Sequence, residues 1–167
     1  MTPVARSAFV AAALLASAAG PVIAGSATST LGVRVVVQPS CSVSGATLDF
    51  GSYTSGQAGD LGGFTQIAYS HCAPGQLRFQ LDGGSSGSTT ARKLGNGSGG
   101  QLNYGIFRDS ARAQNFGQGT DARLLTVDVS GSGNVSVYGK IPGGQVAAAG
   151  TYTDTVVITM DAVRGEG

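Results

Sequence analysis

Apolar side chains recur at every second residue in run after run of this chain. Leu77, Phe79 and Leu81 alternate with Gln76, Arg78, Gln80 and Asp82, and Leu102, Tyr104 and Ile106 repeat the pattern. So do Leu125, Val127 and Val129, while Phe64–Tyr69 leads to Cys72, Val135 and Val137 open another run, and Thr151–Met160 is a long β-branched stretch. Successive side chains of a strand point to opposite faces, so each run presents one apolar face. Clusters of Gly, Ser, Asn and Pro separate the runs, and no window of ten residues beyond the N-terminal segment has a helical period. Seven or eight strands packed as an all-β sandwich are predicted. Two long connections, Gly83–Gly100 and Asp109–Ala122, are expected as loops, the first mobile and solvent-exposed.

The N-terminus reads as an address. Arg6 is followed by the apolar run Ala8–Ala16, then Pro21 and the small-residue pattern Val22-Ile23-Ala24. The run is too short to span a bilayer, which takes about 20 residues. Residues 1–24 are therefore expected to be a signal peptide cleaved after Ala24, a buried N-terminal helix being the alternative. An exported chain with two cysteines, Cys41 and Cys72, is expected to hold one disulfide. Two free buried thiols are the alternative.

Charge narrows the function. Lys and Arg number 10 against 9 Asp and Glu, and only 11% of residues are charged, so there is no basic footprint for nucleic acid. Catalytic motifs are absent or misplaced. Gly95–Gly100 fits a dinucleotide loop by letter, but no helix pattern follows to receive the phosphates. His71 beside Cys72 reads as an ordinary strand residue next to a disulfide, and one His with one Cys pair excludes a zinc site built from these types. Tyr152 and Asp154 could share a strand face, with a structural hydrogen bond the plainer reading. No nucleophile elbow stands between a strand and a helix. No enzyme activity, cofactor or metal is expected.

One segment asks for a functional explanation. In Thr28–Val37 the side chains of Leu31, Val33, Val35 and Val37 share one face, and Thr30, Gly32, Arg34 and Val36 share the other. On periodicity alone it is either the first strand of its own domain or a strand offered to a neighbour by β-augmentation.

The order Cys41, Leu48-Asp49-Phe50-Gly51-Ser52-Tyr53, Cys72 resembles the spore coat protein U domain family, which includes subunits of archaic chaperone–usher pili. Arg92 before Leu94, Leu102–Asp109, Tyr138-Gly139-Lys140-Ile141 and Gly150–Thr159 extend the resemblance over the chain beyond residue 24. Phe116-Gly117 stands where the family often has Trp-Gly. The resemblance implies an incomplete immunoglobulin-like β-sandwich completed by a donor strand from a neighbouring subunit. It implies residues 25–40 as that donor segment, with anchors Leu31, Val33, Val35 and Val37, and residues 41–167 as the sandwich domain. It places the Cys41–Cys72 disulfide at the donor's root. The implied partners are like or related pilin subunits, a periplasmic chaperone and an outer-membrane usher, and the implied destination is the periplasm and then the cell surface. A self-contained secreted sandwich that binds carbohydrate or a surface, a spore coat component and a secreted hydrolase are the competing expectations.

Overall fold

The computed structural model describes residues 26, 28–37 and 40–163, so the expected signal peptide lies outside the described residues. Residues 28–36 and the body from Val37 onward separate as two units. The body holds eight strands and two single 3-10 turns, with no α-helix among the described residues. The strands are β1 (Ser42–Val43), β2 (Leu61–Ser70), β3 (Gly75–Leu81), β4 (Arg92–Gly95), β5 (Gln101–Phe107), β6 (Arg123–Val127), β7 (Gly133–Ile141) and β8 (Ile158–Val163). They form a five-stranded sheet ordered β1-β2-β7-β5-β4 and a three-stranded sheet ordered β6-β3-β8, with every pairing antiparallel.

The period-2 pattern becomes two facing apolar surfaces. Ile67, Tyr69, Tyr104, Ile106, Val135, Val137 and Ile141 of the larger sheet pack against Leu77, Phe79, Leu81 and Val127 of the smaller. The Tyr69 and Phe79 rings meet between the sheets at 5.7 Å. Cys72 is buried at this core and bonded to Cys41, 31 residues away. Closing a loop of that length is worth roughly 3–4 kcal/mol on the chain-entropy estimate.

Several expectations need correction. Gly83–Gly100 is not simply an exposed loop: it contains a 3-10 turn at Gly84–Ser86, strand β4 and a fully buried Arg92. The Arg92 guanidinium donates to the carbonyls of Asp82 (2.9 and 2.7 Å), Thr89 (2.8 Å), Phe116 (2.9 Å) and Leu81 (3.3 Å). Composition could not reveal this, because the ordering comes from one planar fork of donors satisfying four carbonyls. His71 is not a strand residue. It sits past the end of β2 with φ of 58°, in the turn before Cys72. Val129 is 94% exposed beyond β6, where the Asp128 carboxylate accepts the Ser130 N–H and turns the chain.

The Gly95–Gly100 motif is the β4–β5 hairpin loop. Asn96 caps it through its side-chain oxygen, which accepts the N–H groups of Ser98 (2.9 Å) and Gly100 (2.8 Å). Thr151–Met160 is a strand only from Ile158 onward; Thr151–Val157 makes a single bridge, at Thr153. That last difference defines the site described next.

Candidate functional site

The backbone of an extended segment is satisfied by the strands beside it, and two extended stretches of this fold lack most of that pairing. After Ser44 N–H reaches the Ala68 carbonyl (3.0 Å), no backbone group from Gly45 to Tyr53 bonds to another backbone group among the described residues. Across from it, Thr153 exchanges both its bonds with Gly95, each 2.9 Å long. Backbone groups of successive strand residues alternate sides. Those of Tyr152 and Asp154 therefore turn away from Gly95, and they too find no backbone partner among the described residues.

Between these two lips runs a cleft of about 950 Å³. Leu48, Phe50 and Tyr53 line it from one lip, and Tyr152, Asp154 and Val156 from the other. Its floor is the core face of the larger sheet, with Ile67, Leu102, Tyr104, Ile106 and Val137. The residues between the wall positions, Asp49, Thr151, Thr153 and Thr155, are exposed. The second lip thus keeps strand alternation over Thr151–Val156, and the first keeps it over Leu48–Phe50 before Gly51 (φ 72°) turns the chain, both without a full complement of strand hydrogen bonds.

Local features hold each lip in place. Gly63 of β2 and Gly139 of β7 are register partners, and Leu48 and Phe50 lie over the bare backbone they leave. The Phe50 ring meets Tyr104 edge-on at 6.1 Å. One end of the cleft is tied across: Gly56 N–H donates to the Gln145 carbonyl (2.8 Å) and Gln145 N–H to the Tyr53 hydroxyl (2.9 Å).

Of the two carboxylates that line the cleft, Asp49 and Asp154, the inward-facing Asp154 is fully engaged. Asp154 accepts the Tyr104 hydroxyl (2.7 Å) on one oxygen and the N–H groups of Ser85 and Thr155 (2.9 Å each) on the other. Burial opposes its ionisation, but the Tyr104 and Ser85 hydrogen bonds prevail and hold it below the usual carboxylate range. Burial first, and then the bond to Asp154, push the Tyr104 phenol well above its ordinary value. Tyr152 instead donates to the Ala148 carbonyl (2.9 Å), so Tyr152 and Asp154 do not form a reactive pair. Among the described residues, no cluster of three His, Cys, Asp or Glu side chains could hold a metal ion.

The residues singled out by sequence fall in two places. Cys41 and Cys72 are joined, with Cα atoms 4.1 Å apart. Leu31, Val33, Val35 and Val37 carry neither helix nor strand and are 89%, 87%, 83% and 84% exposed. Four apolar side chains spaced for a strand and left in water form an unusual surface. The cleft residues were missed because they come from strands far apart in the chain. A partial signal existed in the alternation of Leu48, Asp49 and Phe50 and in the glycines that interrupt β2 and β7.

An apolar cleft thus lies between two sparsely paired extended stretches, in a chain that also exposes a strand-patterned apolar segment. The family model of the Spore Coat Protein U domain matches residues 27–159. The chain belongs to the Spore Coat Protein U domain family. The match takes in the described part of the 28–37 segment as well as both lips. A relative of similar length, "Protein U" of Myxococcus xanthus, is 32% identical, covering 90% of this chain and 93% of its own. Among solved structures, the family fold is similar to that in the CsuC–CsuE chaperone–tip adhesion subunit pre-assembly complex from archaic chaperone-usher Csu pili of Acinetobacter baumannii. That match has a TM-score of 0.56 and 21% identity, and it covers 75% of this chain and 40% of the other. The fold of this family member is accordingly an immunoglobulin-like β-sandwich.

Proposed function

We propose that this protein is a structural subunit of an extracellular pilus, assembled on the chaperone–usher pathway by donor-strand exchange and serving adhesion or biofilm formation. The observation that carries the reading is the pairing of two features in one chain: an apolar cleft between open strand edges, and an exposed strand-patterned segment with four apolar anchors. In this reading Leu31, Val33, Val35 and Val37 of one copy enter the cleft of the next. Their backbone completes the hydrogen bonding of Gly45–Tyr53 and Tyr152–Val156. The solved relative is a chaperone–subunit complex from such a pilus, which supports a periplasmic chaperone as the first occupant and an outer-membrane usher as the site of exchange.

The energetics suit a structural role. Four aliphatic anchors at roughly 1.5–3 kcal/mol each give an upper bound near 6–12 kcal/mol, before ordering costs. An open edge beside an apolar face is an aggregation hazard until filled, which supports escort by a chaperone. The Cys41–Cys72 bond ties the root of the donor segment to the sandwich, so tension on the donor reaches the fold covalently. Residues 1–24 act as the export signal, 25–40 as the donor segment and 41–167 as the sandwich domain. The role is non-enzymatic: Asp154, the inward-facing carboxylate of the cleft, is held by structural bonds.

The description of the family favours one second reading, a structural protein of a spore coat, built by the same strand donation without the pilus machinery. The deciding experiment compares residues 25–167 with a version lacking 25–38, by size-exclusion chromatography and unheated SDS gels. Heat-sensitive ladders from the longer form, and capture of an added 28–38 peptide by the shorter, are expected. A stable monomer whose truncation unfolds would assign the segment to its own sheet and end the proposal.

A further inference from the structure

The lips and the segment proposed to enter between them carry opposite charge. Residues 45–55 and 147–157 contain two carboxylates, Asp49 and Asp154, and neither Lys nor Arg. Residues 28–37 contain a single charged side chain, Arg34. Asp154 faces inward and is engaged by Tyr104, Ser85 and Thr155. Asp49 is different. It is exposed between the half-buried Leu48 and Phe50, and its one hydrogen bond among the described residues is the Gly51 N–H at 2.8 Å. The second carboxylate oxygen is free to take a partner.

We infer that Arg34 of one copy pairs with Asp49 of the next, and that this contact sets the register of the inserted strand. The inference rests on the strand-donation reading above. Cross-strand partners share a face of the sheet. With Leu31, Val33, Val35 and Val37 turned into the cleft, Arg34 turns outward, on the face where Asp49 stands between two inward lip residues.

A slip of one residue flips every anchor to solvent, and the apolar pattern alone forbids it. A slip of two does not. It keeps all faces correct, exchanges Val for Val at two of the four sites, and brings Pro39 or Ser29 into an end site, so apolar packing discriminates by little more than one end anchor. Charge does discriminate, because such a slip sets Gly32 or Val36 opposite Asp49 and leaves Arg34 beside a neutral residue, Thr47 or Gly51. The opposite lip offers Arg34 only Thr151, Thr153 and Thr155 on its exposed face. The occupant this selects is a second copy of the same chain.

The test uses the chain from residue 25 onward and follows exchange of a labelled 25–167 chain into preformed ladders. R34E or D49R alone is expected to speed loss of subunits about 3–10-fold, the range of an exposed pair turned repulsive. R34E/D49R together should return the rate to within about twofold of the starting protein, and added salt should shrink all the differences. Both side chains are exposed, so an unchanged thermal midpoint of the monomers checks that each variant folds. Equal rates for all four proteins, or single reversals that the double does not rescue, would overturn the charge pairing while leaving strand donation intact. Absence of ladders from the unsubstituted chain would overturn both.

Discussion

Gly63 and Gly139 face each other across β2 and β7, and together they form the seat on which Phe50 rests. A methyl group on Gly139 would stand 2.6 Å from the Phe50 ring and 2.8 Å from Leu48. On Gly63 it would stand 3.0 Å from Leu48 and 3.1 Å from Phe50. The first lip of the cleft is thus positioned by two absent side chains. Gly139→Ala is expected to cost about 1–3 kcal/mol in urea denaturation, the usual range for overpacking a core. Gly63→Ala should cost less. Gly139→Ala should also weaken capture of a 28–38 peptide, since Phe50 must shift into the cleft or off it. An unchanged peptide affinity would mean the lip is not seated this way.

Arg92 should be among the most costly residues to replace. Its fully buried guanidinium satisfies four carbonyls, and Arg92→Leu would strand several of them at ~1–3 kcal/mol for each left unpaired. A loss of about 3–5 kcal/mol is expected. Arg92→Lys should recover only part of it, because a point charge on a flexible stem cannot span the same acceptors. Chemical denaturation midpoints of the three proteins decide this.

The Tyr104–Asp154 bond should shape stability at both ends of the pH scale. Asp154 has its folded pKa depressed, so its contribution is present above the ordinary carboxylate value, about 4, and is lost as pH falls through the folded value. Tyr104 has its pKa raised, so its contribution is present below about pH 10 and is lost as pH rises toward the folded value. Tyr104→Phe should flatten the alkaline limb, make the acid limb shallower and lower stability near neutrality by about 1–3 kcal/mol. Asp109 and Asp128 are held low by hydrogen bonds from Gln114 and Ser130, so part of the acid limb will survive in the variant. Thermal midpoints from pH 3 to 11 give the comparison.

The anchors offer a cleaner separation of folding from assembly. Val33→Asp or Val35→Asp replaces an exposed side chain, so the monomer's thermal midpoint should move by less than about 0.5 kcal/mol equivalent. Ladder formation should be abolished, because the carboxylate would have to be buried unpaired in an apolar cleft. Ladders that persist with either variant would remove these residues from the donor role.

The chain by itself determined the fold class, the cysteine pair and the strand-patterned segment. Each is a local property: alternation of Leu77, Phe79 and Leu81 is visible within seven residues, and so is that of Leu31 to Val37. Local reading failed where ordering came from a distance. Gly83–Gly100 reads as a loop by composition, yet Arg92 inside it is buried by carbonyls from Leu81 and Phe116. Thr151–Val157 reads as a strand by composition, yet among the described residues it makes one bridge, from Thr153 to Gly95.

Only the tertiary structure decided where the cleft lies and which residues line it. Leu48, Phe50, Leu102, Tyr104, Val137 and Val156 span more than a hundred residues of chain, and nothing in their immediate neighbours marks them as one surface. The physical reason is that a strand's inward face is written in its own sequence, whereas whether its backbone finds a partner depends on which other strands the sandwich brings beside it.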